Sequence, residues 1–265
     1  MMADRMQTQR FERKYFLTER QALEVRGFVS GYLQPDEFSV SQPAYSYPVH
    51  SLYLDSDQLA TYWATVHCEK QRFKLRVRYY DDDPESPLFF EIKRRENECV
   101  LKQRGAVHRR AGDLLLMGQL PGPEHLITPK PHHLAALQRF CHLMQRLNAH
   151  PTVHVVYLRE AWVSPQGNSV RVTIDREVRG EPRREAVLST EMHKPVFPFG
   201  KQNVLELKFT DRFPGWLQDI VQHFDLVQTG APKYCGIVAG AGEQRVVGRG
   251  PSGFQQKMAE LIGFC

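Results

Sequence analysis

Charged and apolar side chains alternate along the same short runs of this sequence, and that alternation restricts the fold more than any single motif does. Neighbouring side chains of a strand point to opposite faces, so residues at i and i+2 share one. In Phe73–Tyr80 the cations Lys74, Arg76 and Arg78 share a face opposite Phe73, Leu75, Val77 and Tyr79. Glu91 and Lys93 oppose Phe90 and Ile92; Glu206 and Lys208 oppose Leu205, Leu207 and Phe209. Arg171, Thr173 and Asp175 oppose Val170, Val172 and Ile174, and Glu12 and Lys14 oppose Phe11, Arg13 and Tyr15. One such strand needs only a sheet with a wet face. Lys, Arg and Glu recurring as i,i+2 pairs on at least five strands imply more: if the sheet closes with helices over its apolar outside, the charges converge on a lumen. A barrel of about eight strands has room there for side chains or one small ligand.

The strand candidates are Phe11–Leu17, Phe73–Tyr80, Leu88–Arg95, Val100–Val107, Thr152–Val163, Ser169–Asp175, Ala186–Ser189 and Asn203–Thr210, with a further short run at Val49–Leu54. They are β-branched or aromatic and are separated by polar, Gly or Pro punctuation. Helical spacing marks Thr18–Leu33, which opens on a capping threonine and ends at Pro35, then Leu134–Leu147 and Trp216–Phe224, with a helical turn in Asp55–Thr65. Residues 1–9 read as a flexible lead, 10–240 as one domain, and 241–265 as a tail carrying a short helix at Phe254–Ile262.

No apolar run approaches the 18 or more residues of a membrane helix, and Met1–Arg10 has no apolar core of a signal peptide. Five cysteines at 68, 99, 141, 235 and 265 include no CxxC pair, which argues against a disulfide framework or a zinc site and for a reducing cytoplasm. The formal charge of +5 is too small for a general nucleic-acid coat, yet Glu69–Arg110 alone holds 12 Lys/Arg against 8 Asp/Glu. The aromatics alternate away from the cations and form no stacking platforms beside them, so no nucleic acid is expected as partner.

Desolvated cations in such number need anions, because an unpaired buried charge costs several kcal/mol or more. A polyanionic ligand meets that need, since cations about 7 Å apart along a strand suit successive phosphates. Glu206, with Glu12 or Glu91 nearby, offers the hard oxygen ligands that Mg²⁺ or Mn²⁺ takes together with substrate phosphates.

The ordered segments RFERKYFL (10–17), SLYLDS (51–56), KLRVRYY (74–80), FFEIKRR (89–95), LKQR (101–104), YLREAW (157–162), RVTIDREV (171–178), VLELKF (204–209) and PKYCGIV (232–238) resemble the VTC domain. That is the catalytic domain of the vacuolar transporter chaperone polyphosphate polymerase, a triphosphate tunnel metalloenzyme. The resemblance runs from about Arg10 to Val238. It implies an α+β fold, an antiparallel eight-stranded β-barrel tunnel with helices packed outside, that extends polyphosphate from the γ-phosphate of ATP with Mn²⁺ or Mg²⁺. It implies phosphate-binding roles for Lys14, Arg76, Arg78, Lys93, Lys102, Arg159 and Arg171, which Lys208 joins from beside Glu206. Glu206, with Glu12 and Glu91, would hold the metal, and Lys233 would meet the transferred phosphate.

Two positions depart from the family pattern. Gly230 stands where a second basic residue is common, which leans towards a polyanion-binding module without turnover. Arg10 stands where the adenylate-cyclase and thiamine-triphosphatase branch has a glutamate, which favours the polymerase over a triphosphatase. With no membrane anchor or regulatory module read in the chain, coupling to export or phosphate sensing is expected from a separate partner. The remaining features have plainer readings: His132–His133 a solvated turn, Asp81–Asp83 a hairpin turn, Cys235 a small buried side chain, and Arg94–Arg95 and Arg109–Arg110 solvent-facing charge.

Overall fold

The first strand, β1 (Phe11–Leu17), stops at Thr18, whose hydroxyl accepts from the Gln21 N–H at 3.3 Å while Gln21 Oε1 accepts from the Thr18 N–H at 2.9 Å. This reciprocal cap satisfies two otherwise unpaired donors and starts α1 (Glu19–Val29). The structure is a computed structural model, and it describes residues 11–97, 99–165, 169–210 and 212–248. After α1 come β2 (Gln34–Pro35), β3 (Ser46–Asp55), α2 (Ala60–Val66), β4 (Gln71–Tyr79), β5 (Leu88–Glu96) and β6 (Cys99–Val107). Two helices follow, α3 (Arg109–Leu116) and α4 (Pro131–Arg146), then β7 (His150–Val163), β8 (Val170–Pro182) and β9 (Asn203–Phe209). The described chain ends with α5 (Gly215–His223), α6 (Lys233–Ala241) and α7 (Glu243–Val247). No helix among the described residues is long and apolar enough to cross a membrane.

Eight strands form one antiparallel path in the order β1-β9-β8-β7-β3-β4-β5-β6, and β2 pairs with β7 beside it. The path curls until its ends, β1 and β6, approach one another, but among the described residues no ladder joins them. Side chains span this seam: Lys93 Nζ of β5 lies 3.2 Å from both carboxylate oxygens of Glu12 on β1. The Thr229 N–H, leading into α6, donates to the Lys14 carbonyl at 2.8 Å and covers part of the free edge of β1.

Alternation divides the apolar side chains between two outer cores and one inner one. Leu75, Val77, Phe90 and Ile92 face outward onto Leu137, Phe140 and Met144 of α4. Tyr15, Leu17, Val172, Ile174, Leu205 and Leu207 face outward onto Ala22, Val25 and Val29 of α1 and Leu217 and Ile220 of α5. Inside, Tyr53, Val153, Val155, Tyr157 and Val204 pack against Tyr234, Ile237 and Val238 of α6 and Tyr62 of α2. Helix α6 therefore sits against inward faces of the strands and fills one end of the lumen. Its fit to β8 needs Gly180, where a Cβ would stand 2.6 Å from the His154 carbonyl and 2.9 Å from Ile237. Each large apolar side chain so buried contributes roughly 1.5–3 kcal/mol.

The expected strand at Ala186–Ser189 is absent: this stretch runs as a strap whose carbonyls are taken by side chains rather than by a ladder. Arg183 donates to the Val187 and Ser189 carbonyls, Arg109 to that of Leu188, and the Tyr79 hydroxyl to that of Ser189 at 2.7 Å. Arg109 is thereby drawn inward and only 13% exposed, against its solvent-facing expectation. Helices α3 and α6 were not marked by the sequence pattern, and the expected helix at Phe254–Ile262 lies outside the described residues. Cys141 and Cys235 are free and buried.

Candidate functional site

The inward charges meet in front of α6. Lys233, the first residue of that helix, projects its Nζ to 2.6 Å from Asp175 Oδ2 on β8 and 3.0 Å from Glu206 Oε1 on β9. Arg159 on β7 grips Asp175 through two parallel bonds of 2.7 Å, the planar geometry only a guanidinium supplies. Its guanidinium also lies 5.0 Å from the Tyr157 ring centroid, and Lys233 Nζ lies 4.9 Å from the same ring. Around Glu206 stand Lys208 at 2.6 Å, Lys14 at 3.4 Å and Arg159 at 3.5 Å.

A second group forms on β4–β6. Glu91, directly opposite Arg76 in the β4–β5 register, accepts from Arg76 at 2.7 Å and also pairs with Lys102. Arg76 donates further to the Tyr53 hydroxyl at 3.1 Å, and Arg78 to that of Tyr157 at 3.0 Å. Among the described residues the buried Nε of Arg78 has no hydrogen-bond partner, a cost of about 1–3 kcal/mol that an acceptor in the lumen removes.

These neighbours set the ionisation of the group. Burial alone raises the Glu206 carboxyl, but Lys208, Lys233, Lys14 and Arg159 outweigh it and hold it well below the usual carboxylate range. Burial works against the Lys233 ammonium, yet Asp175 and Glu206 push it above its ordinary value. Burial wins at two other lysines: Lys102 is lowered to about 7 and Lys208 to about 8 despite their carboxylate partners. The Tyr53 phenol, which burial raises, is brought down to about 8 by Arg76 and Lys74.

Lys14, Arg76, Arg78, Lys93, Lys102, Arg159, Lys208, Lys233, Glu12, Glu91 and Glu206 all line this lumen. Arg171 stands at its rim, 27% exposed and tied at 2.7 Å to Asp36 of the segment after β2. Asp175 is the residue that the sequence reading left out. Its place on one face with Arg171 and Thr173 was visible, but no periodicity reveals that Lys233, 58 positions on in the chain, would be bent back onto it. Tyr53 and Tyr157 were missed because inward aromatics match the apolar pattern of a core strand.

The resemblance implies a divalent metal, and the carboxylates can be judged for it. Lys14 Nζ lies 3.2 Å from Glu12 and 3.4 Å from Glu206, so these two acids converge on one point. Glu91 is held apart by Arg76, Arg78 and Lys102. Among the described residues no three His, Cys, Asp or Glu side chains form a cage. Two carboxylates fit a Mg²⁺-like ion that arrives with its phosphates.

A cavity of about 540 Å³, lined by Phe16, Phe199, Ala231, Gly236 and neighbours, carries none of these charges.

Two solved structures match this chain at low similarity. A candidate adenylate cyclase of Bacillus halodurans has 11% identity and a TM-score of 0.49, over 83% of this chain and 92% of its own. A second candidate adenylate cyclase, of Vibrio parahaemolyticus, has 11% identity and a TM-score of 0.43, over 87% of this chain and 98% of its own. No curated protein matches. The family model that matches is that of the VTC domain, over residues 9–240, and it contains every strand, the helix that fills the lumen and the whole charged cluster in front of it. The chain belongs to the VTC domain family.

Proposed function

We propose that this chain is a polyphosphate polymerase that transfers the γ-phosphoryl group of ATP to the end of a polyphosphate chain. One observation carries the reading: the lumen cations Lys14, Arg76, Arg78, Lys93, Lys102, Arg159, Lys208 and Lys233 outnumber the lumen carboxylates Glu12, Glu91, Asp175 and Glu206 by two to one. An enclosed excess of this size is stable when an anion of several charges shares the space. Arg76, Arg78, Lys93, Lys102 and Arg159 hold the phosphates, and Arg171 receives the chain at the rim.

In the transfer, the bond from the γ-phosphorus to the β,γ-bridging oxygen breaks and ADP leaves with the electron pair. A terminal oxygen of the polyphosphate forms the new bond. That oxygen is already anionic, so no general base is required. The transition state is loose, and positioning with charge neutralisation supplies the catalysis. Lys233, held charged by Asp175 and Glu206, stabilises the phosphoryl group in flight. Glu206 and Glu12 would hold a Mn²⁺ or Mg²⁺ ion, which would supply positive charge against the triphosphate. A cytoplasmic setting, with its supply of ATP, suits this reaction.

The test is incubation of the purified protein with ATP and Mn²⁺, followed by gel separation stained for polyphosphate, with Glu206→Ala and Lys233→Ala alongside. A ladder that lengthens with time and vanishes in both variants is the expected result. Hydrolysis of tripolyphosphate without growth makes the chain a triphosphatase, and tight polyphosphate binding without turnover makes it a binding module.

A further inference from the structure

The inward row of cations does not end at the lumen. On β4, Arg72 lies on the same face as Lys74 and Arg76; on β5, Arg95 lies on the same face as Lys93 and Glu91. The register places Arg72 directly opposite Arg95, Lys74 opposite Lys93, and Lys93 opposite Lys102. Like charges directly opposite on a sheet destabilise it, and here three such pairings follow one another.

The outer members lack close carboxylates. Among the described residues Arg72, Lys74 and Arg95 have no carboxylate within ion-pair distance; Arg72 donates to the Glu69 carbonyl and Arg95 to that of Asn97 at 2.9 Å. Burial and the neighbouring Arg95 hold the Arg72 guanidinium below its ordinary value. Lys74 links the two zones, since its Nζ lies 3.6 Å from Cys235 Sγ and 5.7 Å from the Tyr234 ring, in the first turn of the helix that carries Lys233. The strand spacing sets the cations of each row about 7 Å apart, which continues the cation row of the lumen outward.

We propose that Arg72, Lys74 and Arg95 form an outer track that binds the stretch of a long polyphosphate chain lying beyond the reacting end. The track rests on the reading of the lumen as a polyphosphate site. It makes affinity depend on chain length: a triphosphate fills the lumen alone, whereas a long chain also occupies the track.

The experiment compares the full chain with the Arg72→Gln/Arg95→Gln double variant and with Arg95→Glu, which changes an exposed side chain only. Dissociation constants are measured for tripolyphosphate, for long-chain polyphosphate and for a single-stranded RNA of similar charge, each over a range of salt. The expected result is a loss of about tenfold for the long chain, a salt dependence shallower by roughly one to two counterions, and unchanged tripolyphosphate binding. Unchanged long-chain binding in both variants overturns the track and leaves the lumen reading standing. An equal loss for tripolyphosphate also overturns it, by assigning these arginines to the lumen as a whole. RNA that binds as tightly as polyphosphate and loses as much overturns it in favour of a general polyanion surface. If the unaltered protein binds neither polyphosphate, the lumen reading falls and the track with it.

Discussion

Lys233 and Asp175 meet at 2.6 Å across the gap between a helix and a strand, both buried, with Glu206 closing the group at 3.0 Å from the same ammonium. The Lys233 ammonium is thus held charged and aimed by two acids that carry no proton.

Replacing Asp175 by Asn separates two effects of that arrangement. Removing one partner of a buried pair costs about 3–5 kcal/mol, so the denaturation midpoint falls sharply. The same change leaves the lumen one charge more positive, so tripolyphosphate binds more tightly to the molecules that remain folded. Denaturant unfolding and calorimetric titration at neutral pH read the two quantities independently.

Anion binding weakens as pH rises from 6 to 9. Lys102 loses its proton near 7 and Lys208 near 8, and the Tyr53 phenol becomes negative near 8; all three steps lower the positive charge of the lumen. The stability of the ligand-free protein moves the other way. Each of these groups has a folded value below its unfolded one, so the unfolded chain binds more protons in that window and stability rises with pH. Dissociation constants and thermal midpoints over the same buffers should show opposite slopes, and binding at pH 8 should take up protons.

Asp55 anchors two helices at once. Its carboxylate accepts from the Ser56, Thr61 and Tyr62 N–H groups, from the Thr61 hydroxyl, and from the Tyr234 hydroxyl at 2.8 Å. Asp55→Ala orphans all of these donors and should cost about 3 kcal/mol or more, whereas Tyr234→Phe, which removes one donor, should cost about 1 kcal/mol. Urea unfolding of the two variants checks the ratio.

A buried histidine pair governs the acid limb of stability. His154 Nε2 lies 3.2 Å from His50 Nδ1 and 3.0 Å from the Tyr79 hydroxyl, and its Nδ1 is buried with no partner. Burial therefore lowers His154 to about 2 and His50 to about 4. Unfolded histidines take up protons near 6.5, so stability falls as pH drops below that value towards 4. His154→Phe should flatten this slope, which thermal midpoints over the same acid range read directly.

The strands were legible because each carries two alternating chemistries. Phe11–Leu17 and Asn203–Phe209 needed at most one residue of correction, since a slip of one would turn Glu206 outward and Leu205 inward. The segment 186–189 was misread because Ala-Val-Leu-Ser has strand composition, while the arginines that claim its carbonyls lie at 109 and 183. Helix α6 escaped notice for a similar reason. Nearly every residue of Lys233–Ala241 is buried, so it shows no amphipathic period, and only the completed sheet supplies the cavity it fills. Lys14, Arg76, Arg78, Lys93 and Lys208 could be named from alternation, and Lys102, Arg159 and Lys233 only from the family resemblance; Asp175 required the fold, because its partners come from β7 and α6.

The seam between β1 and β6 gives the sheet the mechanics of a hoop with one cut. A hoop with a continuous ladder resists widening along its whole length, but a cut hoop is only as stiff as whatever spans the cut, and the Glu12–Lys93 ion pair is part of that span. Lys93 therefore does more than add charge to the lumen: it is one of the ties across the cut.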